Sequence, residues 1–326
     1  MTDYTLITGA TGYIGGMLAK HFSSAPLILL LRDPERLPSG IRQMEQVRVF
    51  SFDLQESFAD DIYGHIKEEL GCPGMDFSVS SVIHCASVTA SSEMVEHPVE
   101  TADSIVLLTR SILELSRLLF AKKVVLLSSM EVYGEVLDIG RARGEEELGT
   151  ISLTDPRSSY PLGKRMAEFY GRSFFLEYGL SVCIARLSQT FGRGVRPSDN
   201  RVYMQFARAV LEKKDIVLKT KGETYTNNCS IDDVISAIDI IIERGIPGET
   251  YNVVNEENTM TIYEMASLVS KKLAGGEISV VIDEDHDNPY AKDTFLRMSG
   301  QKLRALGFEP KKDIVSMYED ITKVQR

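Results

Sequence analysis

Three glycines spaced three residues apart follow directly on an apolar run at the head of the chain. T-L-I-T-G-A-T-G-Y-I-G sets Gly9, Gly12 and Gly15 between the segment Tyr4 to Thr8 and an amphipathic stretch from Gly12 to Ser23. Strand, tight turn and helix is the order this predicts. Glycine permits both the sharp turn and a close approach to the backbone, and the N–H groups at the helix start then point outward as a diphosphate site. The expected cradle comprises Gly9, Thr11, Gly12, Tyr13, Ile14 and Gly15, and the expected ligand is a dinucleotide.

Beyond Ser23 the chain keeps to the same alternation. Leu27 to Leu31, Val47 to Phe52, Ser81 to Cys85 and Lys123 to Ser128 are short, apolar and rich in branched residues, with helical patterns between several of them, notably Thr101 to Phe120. Strands apolar on both faces require helices on both sides, which predicts an α/β fold with a Rossmann-like, doubly wound parallel sheet. A helix from Ser159 to Tyr178, ended by Gly179, and the strand L-S-V-C-I-A-R complete that domain over residues 1–185. Residues 186–326, with a helix at Val202 to Glu212, are expected to form a smaller α/β substrate lobe that partly returns to the first domain.

At the end of the second strand the chain reads L-L-L-R-D-P. Asp33 suits the ribose hydroxyls of NAD, whereas Arg32 suits the 2′-phosphate of NADP. An arginine placed directly off the strand tilts the balance slightly to NADP. Asp53 and Leu54, closing the third strand, are placed to face the adenine, and Cys85, Ala86 and Ser87 to run beneath the dinucleotide.

Bulk properties exclude several classes. The 326 residues are 43% hydrophobic and carry 36 basic against 47 acidic side chains, a net charge of −11 with no long basic run. Neither a nucleic acid nor an anionic membrane is an expected partner. Cys72, Cys85, Cys183 and Cys229 lie far apart, without disulfide or metal-ligand spacing, so no metal is expected and reduced thiols are. The opening residues lack the basic and apolar regions of a signal peptide, and no apolar run reaches the roughly 18 to 20 residues of a membrane span. A cytoplasmic location is the expectation.

Chemistry enters at S-S-Y-P-L-G-K, where Tyr160 and Lys164 stand four residues apart on one helical face. Bringing a phenol from a pKa near 10 to about 7 requires on the order of 4 kcal/mol in favour of the phenolate. An exposed contact is worth only about 0 to 1 kcal/mol, so a proton-transferring tyrosine here must line a cofactor-filled cleft with its lysine.

Taken in order, T-G-A-T-G-Y-I-G, V-I-H-C-A-S, L-S-S-M-E-V-Y-G, Y-P-L-G-K, I-D-D-V and K-L-R-A-L-G-F-E-P resemble the extended short-chain dehydrogenase/reductases, specifically their nucleotide-sugar epimerase/dehydratase group. The resemblance covers nearly the whole chain. It implies that Tyr160 removes a proton from a sugar hydroxyl while that carbon is oxidised by NAD or NADP, with Ser129 bonded to the same oxygen and Lys164 on the nicotinamide ribose. It further implies that Glu131 handles the proton on the neighbouring carbon, and that the protein is a homodimer. Net reactions open at this point are epimerisation, dehydration and decarboxylation. Simple reduction of a small carbonyl compound by NADPH, or dinucleotide binding without catalysis, are the alternatives.

Departures from that group concern the substrate. Met130 occupies the slot of an aspartate that donates a proton in 4,6-dehydratases, and a thioether cannot donate. Ile105 replaces an asparagine, and Gln189 replaces another with a longer amide. Thr226 stands where many relatives carry an arginine for the nucleotide diphosphate. Arg201 and Arg297, with Arg193 and Arg196 nearby, are the cations expected to compensate, so the substrate contacts are assigned to Gln189, Arg201 and Arg297.

Overall fold

The computed structural model describes residues 2–71, 77–136, 140–284 and 294–324; Cys72 lies outside them. Its strands are β1 Thr2–Thr8, β2 Leu27–Leu31, β3 Val47–Ser51, β4 Phe77–His84, β5 Lys123–Ser129, β6 Val182–Leu187, β7 Gln189–Phe191, β8 Ile216–Leu218, β9 Tyr225–Ser230, β10 Thr250–Val253, β11 Asn255–Thr261 and β12 Val280–Ile282. Its helices are α1 Tyr13–Phe22, α2 Ser39–Arg42, α3 Ala59–Leu70, α4 Ser91–Glu96, α5 Pro98–Leu118, α6 Ser159–Tyr178, α7 Val202–Glu212, α8 Ile231–Arg244, α9 Ile262–Leu273, α10 Gln301–Arg304 and α11 Ile314–Val324.

A seven-stranded parallel sheet in the order β10-β6-β5-β4-β1-β2-β3 forms the centre of the Rossmann-like fold. β2 (L-I-L-L-L) is buried along its whole length, as a strand covered on both faces must be. The order reverses beside β1, which pairs with β2 on one side and β4 on the other. The carboxyl ends of β1 and β4 therefore open the crevice in which such sheets hold ligands.

Several element boundaries differ from the expectation by one to four residues, and two of them have a local reason. α5 starts at Pro98, ahead of Thr101, because a proline at the first helical position loses no hydrogen bond and has its φ already set. β4 starts at Phe77, since polar Ser78 pairs with Asp3 of β1 and Ser80, at a register shift, donates its hydroxyl to Tyr4 O, although both break the apolar run. α6 ends as its glycine predicts: Gly179 is left-handed (φ 67°) and its N–H bonds back to Phe175 O. Along α5 and α6, a Cβ on Gly163 would lie 3.1 Å from Ile105 Cδ1, so the isoleucine fills the space beside that glycine. Ile105 belongs to a buried apolar cluster with Met94, Tyr160 and Ala167.

The chain divides into two compact units. The first comprises Met1–Gly134, Thr150–Arg186 and Ala237–Tyr251, and the second Glu135–Gly149, Leu187–Ser236 and Asn252–Arg326. A three-stranded sheet, β11-β9-β7, and a two-stranded one, β12-β8, belong to the second. Its interior is unusually polar: Asn227 and Asn228 of β9 are fully buried, Asn227 bonded to Leu296 O and Asn228 to Asn258 O. Among the described residues no helix is long and apolar enough to cross a membrane.

The first unit also carries a buried polar chain. Ser128 Oγ donates to Glu168 Oε1 at 2.5 Å, and Glu168 receives Arg186 through Nε at 2.9 Å and Nη2 at 2.7 Å. Arg186 lies 5.1 Å over the Tyr133 ring and reaches its hydroxyl at 3.3 Å. Burial works against the guanidinium charge, but the hydrogen bonds and charge of Glu168 outweigh it and push the Arg186 pKa up. Such a pair ties β5 to α6 and β6, and losing one partner strands the other's charge. Arg186→Met is expected to lower the unfolding free energy by about 3–5 kcal/mol, measured by denaturant titration, with Glu168→Gln in the same background costing little more.

Candidate active site

The turn after β1 has the shape a diphosphate needs. Gly9 sits at φ 73°, and a Cβ there would lie 2.6 Å from Ala86 N; one on Gly15 would lie 2.3 Å from Gly9 O. Both positions are closed to any side chain. Gly12 caps α1 with extended backbone and no side-chain bond, and no acidic residue occupies the first helical turn. An anion at this turn would meet the positive end of the α1 dipole. These residues fit a dinucleotide.

The flanking candidates make local contacts of their own. Asp33 is turned to local work, accepting the Glu35 N–H at 3.1 Å at the head of a 3-10 turn. Arg32 is 71% exposed, with Nη1 3.9 Å from Asp53 Oδ2. Asp53 also accepts from Gln55 N at 3.0 Å, and Leu54 is buried. Beneath the crevice, Ala86 N donates to Thr8 Oγ1 at 3.3 Å. Burial pushes the Cys85 thiol up to about 12, against the opposing pull of Lys164, so it stays protonated.

Tyr160 and Lys164 occupy the first turns of α6 and are each only 7% exposed. Lys164 Nζ lies 5.9 Å from the Tyr160 ring centre and donates to Leu127 O at 2.9 Å. Burial lowers the Lys164 pKa to about 8, with Cys85 and Glu168 pulling it back up. The ammonium is thus held in the interior beside the phenol, the setting in which a charge has most effect. At the end of β5, Ser129 Oγ accepts the Glu131 N–H at 3.2 Å and keeps its own proton to give.

Sequence reasoning missed the residues that fix these groups. Arg157, three positions before Tyr160, grips the Glu131 carboxylate through Nη1 at 2.9 Å and Nη2 at 3.1 Å. Arg165 Nε reaches Val132 O at 2.8 Å. With Lys164 on Leu127 and Glu168 on Ser128, helix α6 and the turn before it hold the end of β5 at two points and the turn after it at two more. The available signal was spacing: Glu168 repeats the Tyr160 and Lys164 interval once more, on the same face.

The substrate candidates belong to the second unit. Gln189 opens β7 opposite Asn228. Arg201 heads α7, bound to Asp199 through Nε at 3.1 Å and Nη2 at 2.8 Å. Arg297 lies 4.4 Å over the Tyr225 ring and donates to its hydroxyl at 2.6 Å. Thr226 is buried, donating to Asn228 Oδ1 at 3.0 Å.

The model of the NAD dependent epimerase/dehydratase family matches residues 5–254. A dTDP-D-glucose 4,6-dehydratase from Dictyostelium discoideum is 27% identical over 280 residues, covering 82% of this chain and 61% of that protein. A UDP-glucuronic acid decarboxylase 1 from Xenopus tropicalis is 26% identical over 246 residues, covering 75% and 56%. The chain thus spans roughly three-fifths of the length of these curated relatives. Among solved structures, a UDP-glucose 4-epimerase from Thermotoga maritima has the same fold, with a TM-score of 0.81 and 20% identity over 99% of this chain and 100% of that one.

Below the crevice, His84 bonds Thr8 Oγ1 through Nδ1 at 2.8 Å, and burial, then the Lys164 charge, lower its pKa to about 3. Its unfolded form takes a proton near pH 6.5, which the fold refuses down to pH 3. Stability therefore rises with pH through that window and is lost as pH falls. The unfolding free energy of His84→Asn, measured by denaturant titration across this range, is expected to lose up to about 1.4 kcal/mol of slope per pH unit relative to the parent.

Proposed function

The chain belongs to the NAD dependent epimerase/dehydratase family, and from that premise we propose that it acts on a nucleotide-linked sugar through transient oxidation of one carbinol carbon. The observation that carries this reading is the burial of Tyr160 beside a buried Lys164, next to a glycine cradle that fits a dinucleotide. When bound, the dinucleotide supplies the acceptor and donor of hydride.

The chain's own residues do the rest. Gly9 to Gly15 and the head of α1 hold the diphosphate. Tyr160, as phenolate, takes the proton of the sugar hydroxyl, and Lys164 stabilises that phenolate by its charge. Ser129 donates to the same oxygen and steadies the keto form. Arg297 is assigned to the nucleotide diphosphate in place of a cation at Thr226, its guanidinium oriented by Tyr225. Gln189 and Arg201 complete the proposed substrate contacts. The curated relatives, named for dTDP-glucose and UDP-glucuronic acid, support a nucleotide-sugar.

Arg32 favours NADP over NAD, because it stays exposed while Asp33 is engaged by Glu35 N. The same arginine, with the loss of a cation at Thr226, is what favours the second reading, a reductase that consumes NADPH on a small carbonyl compound. Val99 and Leu107 on α5, and Met166, Phe169 and Leu176 on α6, are large exposed apolar side chains, and we assign them to a homodimer interface. The free thiols Cys85 and Cys229 support a reducing, cytoplasmic setting.

Native mass spectrometry of freshly purified protein is expected to read a dimer retaining one dinucleotide per chain, with its mass distinguishing NADP from NAD. Incubated with UDP-, dTDP-, CDP- and GDP-sugars, the protein is expected to convert one class without net consumption of dinucleotide. Tyr160→Phe should lower that turnover by about 10²–10⁴-fold while keeping the dinucleotide. Turnover of added NADPH with a ketone, and none with any nucleotide-sugar, would select the reductase.

A further inference from the structure

We propose that Arg157 is a positioning residue that withdraws Glu131 from proton abstraction, restricting the site to reactions that leave the hydrogen beside the oxidised carbon in place. This rests on the nucleotide-sugar reading and narrows it. Both oxygens of Glu131 are taken by the planar fork of Arg157, at 2.9 Å and 3.1 Å. That bidentate arrangement is the most specific a carboxylate can make with a single side chain.

Neither partner is a loose surface chain. Their side chains are 32% and 30% exposed, and both rest on fixed backbone. Asp155 accepts the Arg157 N–H at 2.9 Å, and Ser129 Oγ accepts that of Glu131 at 3.2 Å. The fork occupies one lone-pair site on each oxygen, so Glu131 keeps only the sites turned away from Arg157, and swinging an oxygen towards a carbon-bound proton leaves the guanidinium half satisfied. Met130, beside it, has no proton to give to a leaving hydroxyl. Elimination needs a base on one carbon and an acid on the next, and this turn has neither ready. Inversion at the oxidised carbon needs no third group, because the proton that Tyr160 takes is the proton it gives back.

The test uses UDP-glucose and dTDP-glucose, which have no carboxylate to lose, in heavy water, with products read by mass spectrometry and proton NMR. The parent is expected to convert sugar without loss of water and without deuterium on the neighbouring carbon. Arg157→Met should raise deuterium incorporation there at least about tenfold, a modest part of what a freed general base can contribute. Arg157→Lys should fall between the two, and Glu131→Gln added to Arg157→Met should abolish the gain. Water loss or such deuterium uptake by the parent at its turnover rate overturns the inference and leaves the nucleotide-sugar reading standing. No turnover of either sugar, or of any UDP-, dTDP-, CDP- or GDP-sugar, overturns both.

A second readout needs neither cofactor nor sugar. Thermal unfolding of Arg157→Met, Glu131→Gln and the double variant should show losses that are not additive. Additive losses would mean that the pair is not made in solution, and would overturn the proposal by themselves.

Discussion

A lysine kept in the interior is the constraint around which the first unit is organised. Removing the Lys164 ammonium from water is unfavourable, and burial brings its pKa down to about 8 against the opposing pull of Cys85 and Glu168. The Leu127 carbonyl and the charge of nearby Glu168 offset part of that cost. In return the cation acts at close range on everything near it. His84 is pressed towards the neutral form by burial and then by this charge, and Tyr160 gains a cationic neighbour that can favour a phenolate.

Such an arrangement works only if the helix bearing the lysine cannot drift. α6 is fastened to β5 and to the turn beyond it by Lys164, Arg165 and Glu168, and the turn before α6 by Arg157. The Glu168 and Arg186 pair sits behind this seam, where two charges are tolerable because each satisfies the other. A hydrophobic seam of equal volume would hold the helix without fixing where each hydroxyl points.

Much of the first unit was legible because its signals are local. The glycine spacing, the fully apolar β2 and the four-residue interval between Tyr160 and Lys164 each express one rule of backbone or helix geometry. What stayed hidden depends on partners distant in sequence. Arg157 reads as an ordinary charge in a polar loop until the fold sets it against Glu131, 26 residues earlier. Glu168 and Arg186 read as a helix-surface acid and a strand-end base, and only the sheet buries both. The division of the chain was also hard to foresee, since residues 237–251 group with the first unit and 135–149 with the second. No composition shift marks those exchanges.

That the Lys164 charge makes Tyr160 a base near neutrality is tested most directly by titrating Tyr160 itself, with ring-labelled tyrosine followed by carbon NMR in the dinucleotide-loaded protein. Ionisation is expected near pH 7 in the parent, with a return towards the ordinary phenol value of about 10 in Lys164→Met. A Tyr160 that titrates at the same pH with and without the lysine would show that its chemistry does not depend on that charge.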